Sequence, residues 1–230
     1  MTERERAFTE IYGGGGWGGK GSGGGSDPIG ARPYVNFVLD YVRHHGVTSV
    51  CDVGCGDWQM WPQGAFSNQI DYLGLDIVDS VVEGNIRRFG TPTRRFARWD
   101  AVAVDPPAAD LLLCKEVLQH LPNEDVRQFL ATNLGRYKHV VLCADIRMES
   151  SVVWRRLTRR AIGGLGSPVP PANSDIHAGG YRPVRFDKLP FVHFGLEVAA
   201  VYVHVTGGTC RTEKAIWVRS SDSSHHRPAS

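Results

Sequence analysis

The sequence predicts an α/β fold, a parallel, doubly wound sheet with helices on both sides and an antiparallel hairpin at its end. Three observations lead there. Short apolar runs alternate with amphipathic stretches between residues 48 and 144, the pattern of successive βαβ units. Residues 110–114 read Asp-Leu-Leu-Leu-Cys, the nearly continuous apolar run of a strand buried on both faces. Two β-rich runs, 197–205 and 213–219, flank Thr206-Gly207-Gly208-Thr209, which is the composition of a hairpin turn. At 230 residues the chain fits one domain with a sizeable core.

In chain order, residues 13–25 hold ten glycines and have neither helix nor strand propensity. Residues 1–26 are read as a mobile arm that closes over a ligand, with Phe8, Ile11, Tyr12 and Trp17 as its apolar contact points. Asp27-Pro28 opens a segment in which Tyr34, Phe37, Val38, Tyr41 and Val42 recur at helical spacing, with Gly46 as the stop. Strands follow at 48–53, 71–76, 94–99, 110–114 and 139–144, with helices at 80–89 and 122–137. Residues 146–190 break the alternation and are read as an inserted lid. It comprises a helix candidate at 150–162, a Gly/Pro loop and the segment 173–186. The domain proper is 27–219, and the polar tail from 220 is expected to be disordered.

Composition narrows the function. Lys and Arg exceed Asp and Glu by only two, against the strong basic excess of a general nucleic-acid binder. No apolar run reaches the roughly 20 residues that cross a bilayer, and the N-terminal residues form no signal-peptide h-region. The expectation is a cytoplasmic protein with neither nucleic acid nor membrane as partner. The odd set of five cysteines reads as buried thiols and not as a disulfide framework or zinc site.

The sharpest local signal is Val50-Cys51-Asp52-Val53-Gly54-Cys55-Gly56-Asp57. A strand ending in Gly-x-Gly turns tightly and lets a ligand approach the backbone. The third glycine of a dinucleotide fingerprint is replaced by Gln59, and Asp57 places negative charge where a pyrophosphate would lie. A ligand with a cationic centre suits this turn better. Asp76 ends the second strand and Asp100 closes the third, at the carboxyl-end crevice of open α/β sheets. There Asp76 is placed to take the hydroxyls of a ribose and Asp100 an adenine amino group.

These motifs resemble class I S-adenosylmethionine-dependent methyltransferases of the small-molecule type. Asp52-Val53-Gly54-Cys55-Gly56-Asp57 is similar to the family's first motif, Tyr72-Leu73-Gly74-Leu75-Asp76 to its second and Trp99-Asp100-Ala101 to its third. Residues 110–121 resemble its fourth strand and the following segment. The resemblance spans roughly residues 30–219 and implies a Rossmann-like seven-stranded sheet of order 3-2-1-4-5-7-6 with the last strand antiparallel. It also implies S-adenosylmethionine as cofactor; no metal is expected. The expected cofactor contacts are Tyr12, Trp17, Asp52, Gly54, Cys55, Gly56, Asp57, Asp76, Ile77, Asp100 and Ala101, joined by Lys115, Glu116 and Gln119 after the fourth strand.

Methyl transfer from a sulfonium is an in-line displacement, so the protein must align the acceptor and accept its proton when its pKa is high. His120 has the right pKa range for a base, and His177 and Tyr181 form a second reactive cluster beside Gly179-Gly180. A structural role for His120 competes with the catalytic one. Between 146 and 189, eight basic residues face three acidic ones. Arg155, Arg156, Arg159 and Arg160 fit a solvated helical face, whereas Arg182 and Arg185 suit bidentate binding of an anion. The reading is therefore methyl transfer to an oxygen or nitrogen of a small, anionic metabolite or natural-product intermediate. Two alternatives are a macromolecule methyltransferase and a non-catalytic cofactor-binding protein of the same fold.

Overall fold

The computed structural model describes residues 1–16, 21–62, 65–66, 68–150, 169–206 and 210–220. Its strands are β1 (Ser49–Val53), β2 (Asp71–Asp76), β3 (Arg94–Arg98), β4 (Leu111–Lys115), β5 (His139–Ser150), β6 (Glu197–Thr206) and β7 (Cys210–Ser220). They form one sheet in the order β3-β2-β1-β4-β5-β7-β6. The first five strands are parallel to one another. Only β7 runs the other way, antiparallel to both β5 and β6. The helices are α1 (Glu3–Gly13), α2 (Arg32–His44), α3 (Asp79–Phe89) and α4 (Asn123–Asn133).

Strand alternation divides the core into two layers. Cys51, Val53, Leu112, Cys114, Val140 and Leu142 face one side, where they pack with Val126, Phe129 and Leu130 of α4, Phe8 of α1, and Val184 and Phe186. Val50, Leu111, Leu113, Val141 and Cys143 face the other, against Tyr34, Val35, Val38 and Val42 of α2 and an aromatic layer of Trp58, Trp61 and Phe66. A central strand such as β4 must therefore be apolar on both faces through its interior, which is why Leu111, Leu112 and Leu113 are all fully buried. Burial of each such side chain contributes about 1.5–3 kcal/mol. Cys51, Cys55, Cys114 and Cys143 are free and buried.

Several elements differ from the sequence reading, each for a local reason. The N-terminal residues form a helix, α1, because Thr2 and Glu5 make a capping box: the Thr2 side chain accepts from the Glu5 N–H and the Glu5 side chain from the Thr2 N–H. α2 starts at Arg32 and not at Asp27, since Asp27 Oδ1 accepts from the N–H groups of Ile29 and Gly30 and holds a turn there. α4 stops at Asn133, short of 137. The chain then turns, and the Tyr137 hydroxyl donates to Pro107 O. β5 continues past Ala144 to Ser150 because β7 pairs with it along that length, with a register shift between Asp145 and Arg147. Trp17, the arginines at 155–160, the 207–209 turn and the tail from 221 lie outside the described residues. Among the described residues no helix is long and apolar enough to cross a membrane.

Candidate active site

The carboxyl ends of β1 to β5 open into one cavity of about 360 Å³, with α1 and the glycine strap Ser22–Ser26 along its other wall. β1 runs into Gly54 and Gly56, both at positive φ (69° and 58°). A Cβ on Gly56 would lie 2.2 Å from Ser22 Oγ, so only glycine lets the strap approach. Asp76, at the end of β2, is buried and accepts from the N–H groups of Gly56 and Val78, each at 3.1 Å. Burial pushes its pKa up to about 6, despite those donors. Asp100 follows β3 and accepts from Val102 N at 3.2 Å and from the Arg4 guanidinium at 3.0 Å. Arg4 also reaches Asp125 at 3.0 Å, tying α1 to α4 across this end of the cavity. Ile77 and Ala101 line the same end, with Cys55 and Tyr12 near the glycine turn.

The other half of the cavity is a chain of charges. Lys115 Nζ donates to Glu116 Oε1 at 2.6 Å and to Gly25 O of the strap at 2.8 Å. Lys214 of β7 reaches Glu116 Oε1 at 2.9 Å and Asp145 Oδ1 at 2.5 Å. Tyr181 donates its hydroxyl proton to Asp145 Oδ2 at 2.9 Å, and Gln119 both accepts from Asp145 N and donates to its carboxylate. Burial pushes the Glu116 carboxyl up, but the ammonium groups of Lys115 and Lys214 outweigh it and hold Glu116 well below the usual carboxylate range. Burial likewise opposes the charge on Lys214, yet Glu116 and Asp145 overcome it and raise its pKa. His120 lines the cavity beside this chain, its ring 5.9 Å from that of Tyr181. Burial lowers its pKa, so the imidazole is neutral at pH 7. Its Nδ1 lies 2.7 Å from Gly180 O, so Nδ1 carries the proton and Nε2 is the basic nitrogen.

Twelve of the residues singled out from the sequence thus line one cavity: Tyr12, Gly54, Cys55, Gly56, Asp76, Ile77, Asp100, Ala101, Lys115, Glu116, Gln119 and His120, with Tyr181 opposite them. The structure places others elsewhere. Asp52 is not in the crevice: its side chain turns into the α2 layer, accepts from the Tyr72 hydroxyl at 2.7 Å, and is driven by burial to a pKa of about 7. Asp57 stands outside the main cavity and clamps the strap, with Asp57 N donating to Ser22 Oγ at 2.7 Å. His177 is exposed and away from the cavity, contributing its carbonyl to the Gly180 N–H. Arg182 is no anion ligand. It is fully buried and donates to Leu118 O, Leu121 O and Asn123 Oδ1, pinning the 170–190 segment to the turn after β4. Arg185 forks onto Asp187 at 2.8 and 2.5 Å, which occupies its guanidinium outside the cavity.

Arg4, Asp145 and Lys214 line the cavity but carry no assignment from the sequence. Asp145 had a signal, being an acid just past the expected end of a strand, as Asp76 and Asp100 are. Arg4 follows the capping-box threonine by two residues, so recognising α1 would have exposed it. Lys214 sits within a β-rich run and has no local motif.

No family model matches the chain, and no curated protein matches it. Among solved structures it is similar to magnesium protoporphyrin IX methyltransferase from Synechocystis PCC 6803 with bound SAH, at a TM-score of 0.56 and 19% identity over 84% of each chain. It is also similar to the N-methyltransferase NodS from Bradyrhizobium japonicum WM9 in complex with S-adenosyl-L-homocysteine (TM-score 0.54, 13% identity, 84% of this chain and 88% of that one). A third is the mitomycin 7-O-methyltransferase MmcR, at 0.51 and 15%, over 80% of this chain and 53% of that one. Sheet order, crevice position and these likenesses agree: the chain has the class I S-adenosylmethionine-dependent methyltransferase fold.

Proposed function

We propose that the chain is an S-adenosylmethionine-dependent methyltransferase acting on an oxygen or nitrogen of a small molecule. The observation that carries this reading is the charge of the crevice. Asp76, Asp100, Glu116 and Asp145 line it against Arg4, Lys115 and Lys214, leaving one net negative charge in a glycine-floored cavity. That complements a ligand with one net positive charge, as the sulfonium cofactor has, and disfavours a dinucleotide. The solved structures of this fold with SAH bound support the same ligand.

When bound, the cofactor supplies an electrophilic methyl group. The chain's own residues must then hold an acceptor in line, exclude water and take up its proton. His120 is assigned the proton, at Nε2, because its Nδ1 is committed to Gly180 O. Tyr181, fixed by Asp145, orients the acceptor. α1 and the strap cover the crevice, which favours a small acceptor over a macromolecule. The arginines that suggested an anionic acceptor are spent on scaffold contacts, and the wall formed by Asp145, Lys214 and Tyr181 is neutral overall. An uncharged hydroxyl or an amine fits that wall better.

Calorimetric titration of the purified chain with S-adenosylhomocysteine and with NAD tests the assignment. Binding of the first and not the second is expected. Tighter binding of NAD contradicts it.

A further inference from the structure

Tyr181 and His120 line the cavity from different segments, yet each has its one proton committed to the protein. The Tyr181 hydroxyl donates to Asp145 Oδ2 at 2.9 Å. Lys214 holds the other carboxylate oxygen at 2.5 Å, and Gln119 accepts from Asp145 N and donates to Oδ2. A carboxylate paired with a buried ammonium only accepts, so the tyrosine proton stays on Asp145. At His120, Nδ1 donates to Gly180 O at 2.7 Å, because a carbonyl only accepts. What these two side chains offer an acceptor is therefore two lone pairs, on Tyr181 Oη and His120 Nε2, and no donor.

The polarity is built into the scaffold. The chain on either side of Tyr181 is pinned: Gly179 N donates to His120 O at 2.9 Å, and Arg182 N to Gln119 O at 3.2 Å. The Arg182 guanidinium adds Leu118 O and Leu121 O. The two rings are thus held with 5.9 Å between centres, a separation that one atom making two hydrogen bonds of about 2.9 Å spans. A hydroxyl has one proton and satisfies one of the two lone pairs. A primary amine has two protons, satisfies both and keeps its own lone pair for the methyl group.

Basicity restricts the amine further. An alkylamine with a pKa near that of lysine, about 10.4, is protonated at pH 7 and has no lone pair, and an imidazole of ordinary pKa about 6.5 is too weak a base to strip it. Burial lowers His120 further still. Asp145 does not draw in the cation, because Lys214 already neutralises it. The nitrogen must therefore arrive uncharged, as it does when conjugated to an aromatic ring. Thr212 precedes Lys214 by two residues on β7, and Met148 of β5 is its register partner; all three line the cavity. A thioether is a favourable neighbour for such a ring.

We infer that the acceptor is a weakly basic primary arylamine whose two N–H groups are divided between Tyr181 and His120. The nitrogen lone pair forms the new N–C bond, the C–S pair leaves with sulfur, and the proton that nitrogen sheds passes to His120 Nε2. The inference rests on the proposed function and narrows its acceptor from oxygen or nitrogen to one class.

Aniline and phenol, which differ only in the acceptor atom, test it. Both are titrated by ligand-detected NMR into the chain saturated with S-adenosylhomocysteine, and their methylation from S-adenosylmethionine is measured beside that of benzylamine, a strongly basic amine. Aniline should bind about 10- to 100-fold more tightly than phenol, the cost of leaving one buried acceptor unpaired. Benzylamine should be methylated at least about tenfold more slowly than aniline, because only its small uncharged fraction has a lone pair. Tyr181→Phe removes one of the two lone pairs and should bring the aniline and phenol affinities within about threefold of each other. A melting curve checks the fold of that variant, and the comparison in the intact chain decides the matter if it is unstable. Phenol bound as tightly as aniline, a preference that survives in folded Tyr181→Phe, benzylamine methylated as fast as aniline, or no binding of either probe overturns the inference and leaves a small-molecule methyltransferase standing. If S-adenosylhomocysteine itself does not bind, the proposed function is refuted.

Discussion

The two halves of the crevice hold their charges by different means. On the β2–β3 side, Asp76 is fixed by the N–H groups of Gly56 and Val78, and Asp100 by those of Val102 and Ala103 together with the Arg4 guanidinium of α1. On the β4–β7 side, Glu116, Asp145, Lys115 and Lys214 are fixed by one another's side chains, brought together from three strands and a turn. The first half is therefore built mainly from its strand ends, with α1 closing it through Arg4. The second exists only when the antiparallel hairpin has docked on β5. A substitution in the first half should disturb ligand binding before stability, and one in the second should disturb both.

The largest expected effect lies in the second half. Lys214→Met leaves Asp145 without its buried cation, which should cost about 3–5 kcal/mol of folding stability, read from denaturant unfolding. A loss below about 1 kcal/mol would mean that the charge chain is not cooperative and that the contrast between the halves is overstated. Next, Asp76→Ala should weaken S-adenosylhomocysteine binding at least about tenfold, equivalent to about 1.5–3 kcal/mol. Unchanged affinity would remove Asp76 from the ligand site.

The third effect concerns pH. Burial raises Asp52 to about 7 and Asp76 to about 6, above their ordinary value of 3.8. The folded state then binds protons more tightly than the unfolded one. The corresponding stability is fully present below pH 3.8 and is lost as pH rises through 6 and 7. Asp52→Asn should flatten the fall in melting temperature across that window, because the amide cannot ionise. A profile as steep as that of the unaltered chain would assign the dependence to other groups.

What was legible in the sequence follows the same division. The glycine turn, Asp76 and Asp100 are readable because strand alternation and strand-end acids are short-range patterns, whereas the strand order was implied only by the family resemblance. α1 is equally local, its signal being the capping box at Thr2 and Glu5 just ahead of the glycine run. Arg182 was misread for a physical reason. A guanidinium in a glycine-bent loop suits an anion, but the fold leaves Leu118 O, Leu121 O and Asn123 Oδ1 in need of donors, and Arg182 satisfies all three. Which carbonyls a fold leaves unpaired is a tertiary fact with no sequence spacing to announce it. Asp52 was likewise placed in the cofactor crevice because it opens the glycine motif, yet strand alternation directs it to Tyr72 instead. Lys214 could be found only by knowing that β7 lies next to β5.

A crystal structure of the chain with S-adenosylhomocysteine bound tests the central claim most directly. The account predicts the ribose at Asp76 and the adenine toward Asp100, with His120 and Tyr181 facing the sulfur. A ligand lying in the reverse direction, or bound outside the cavity between α1 and the strand ends, would contradict it.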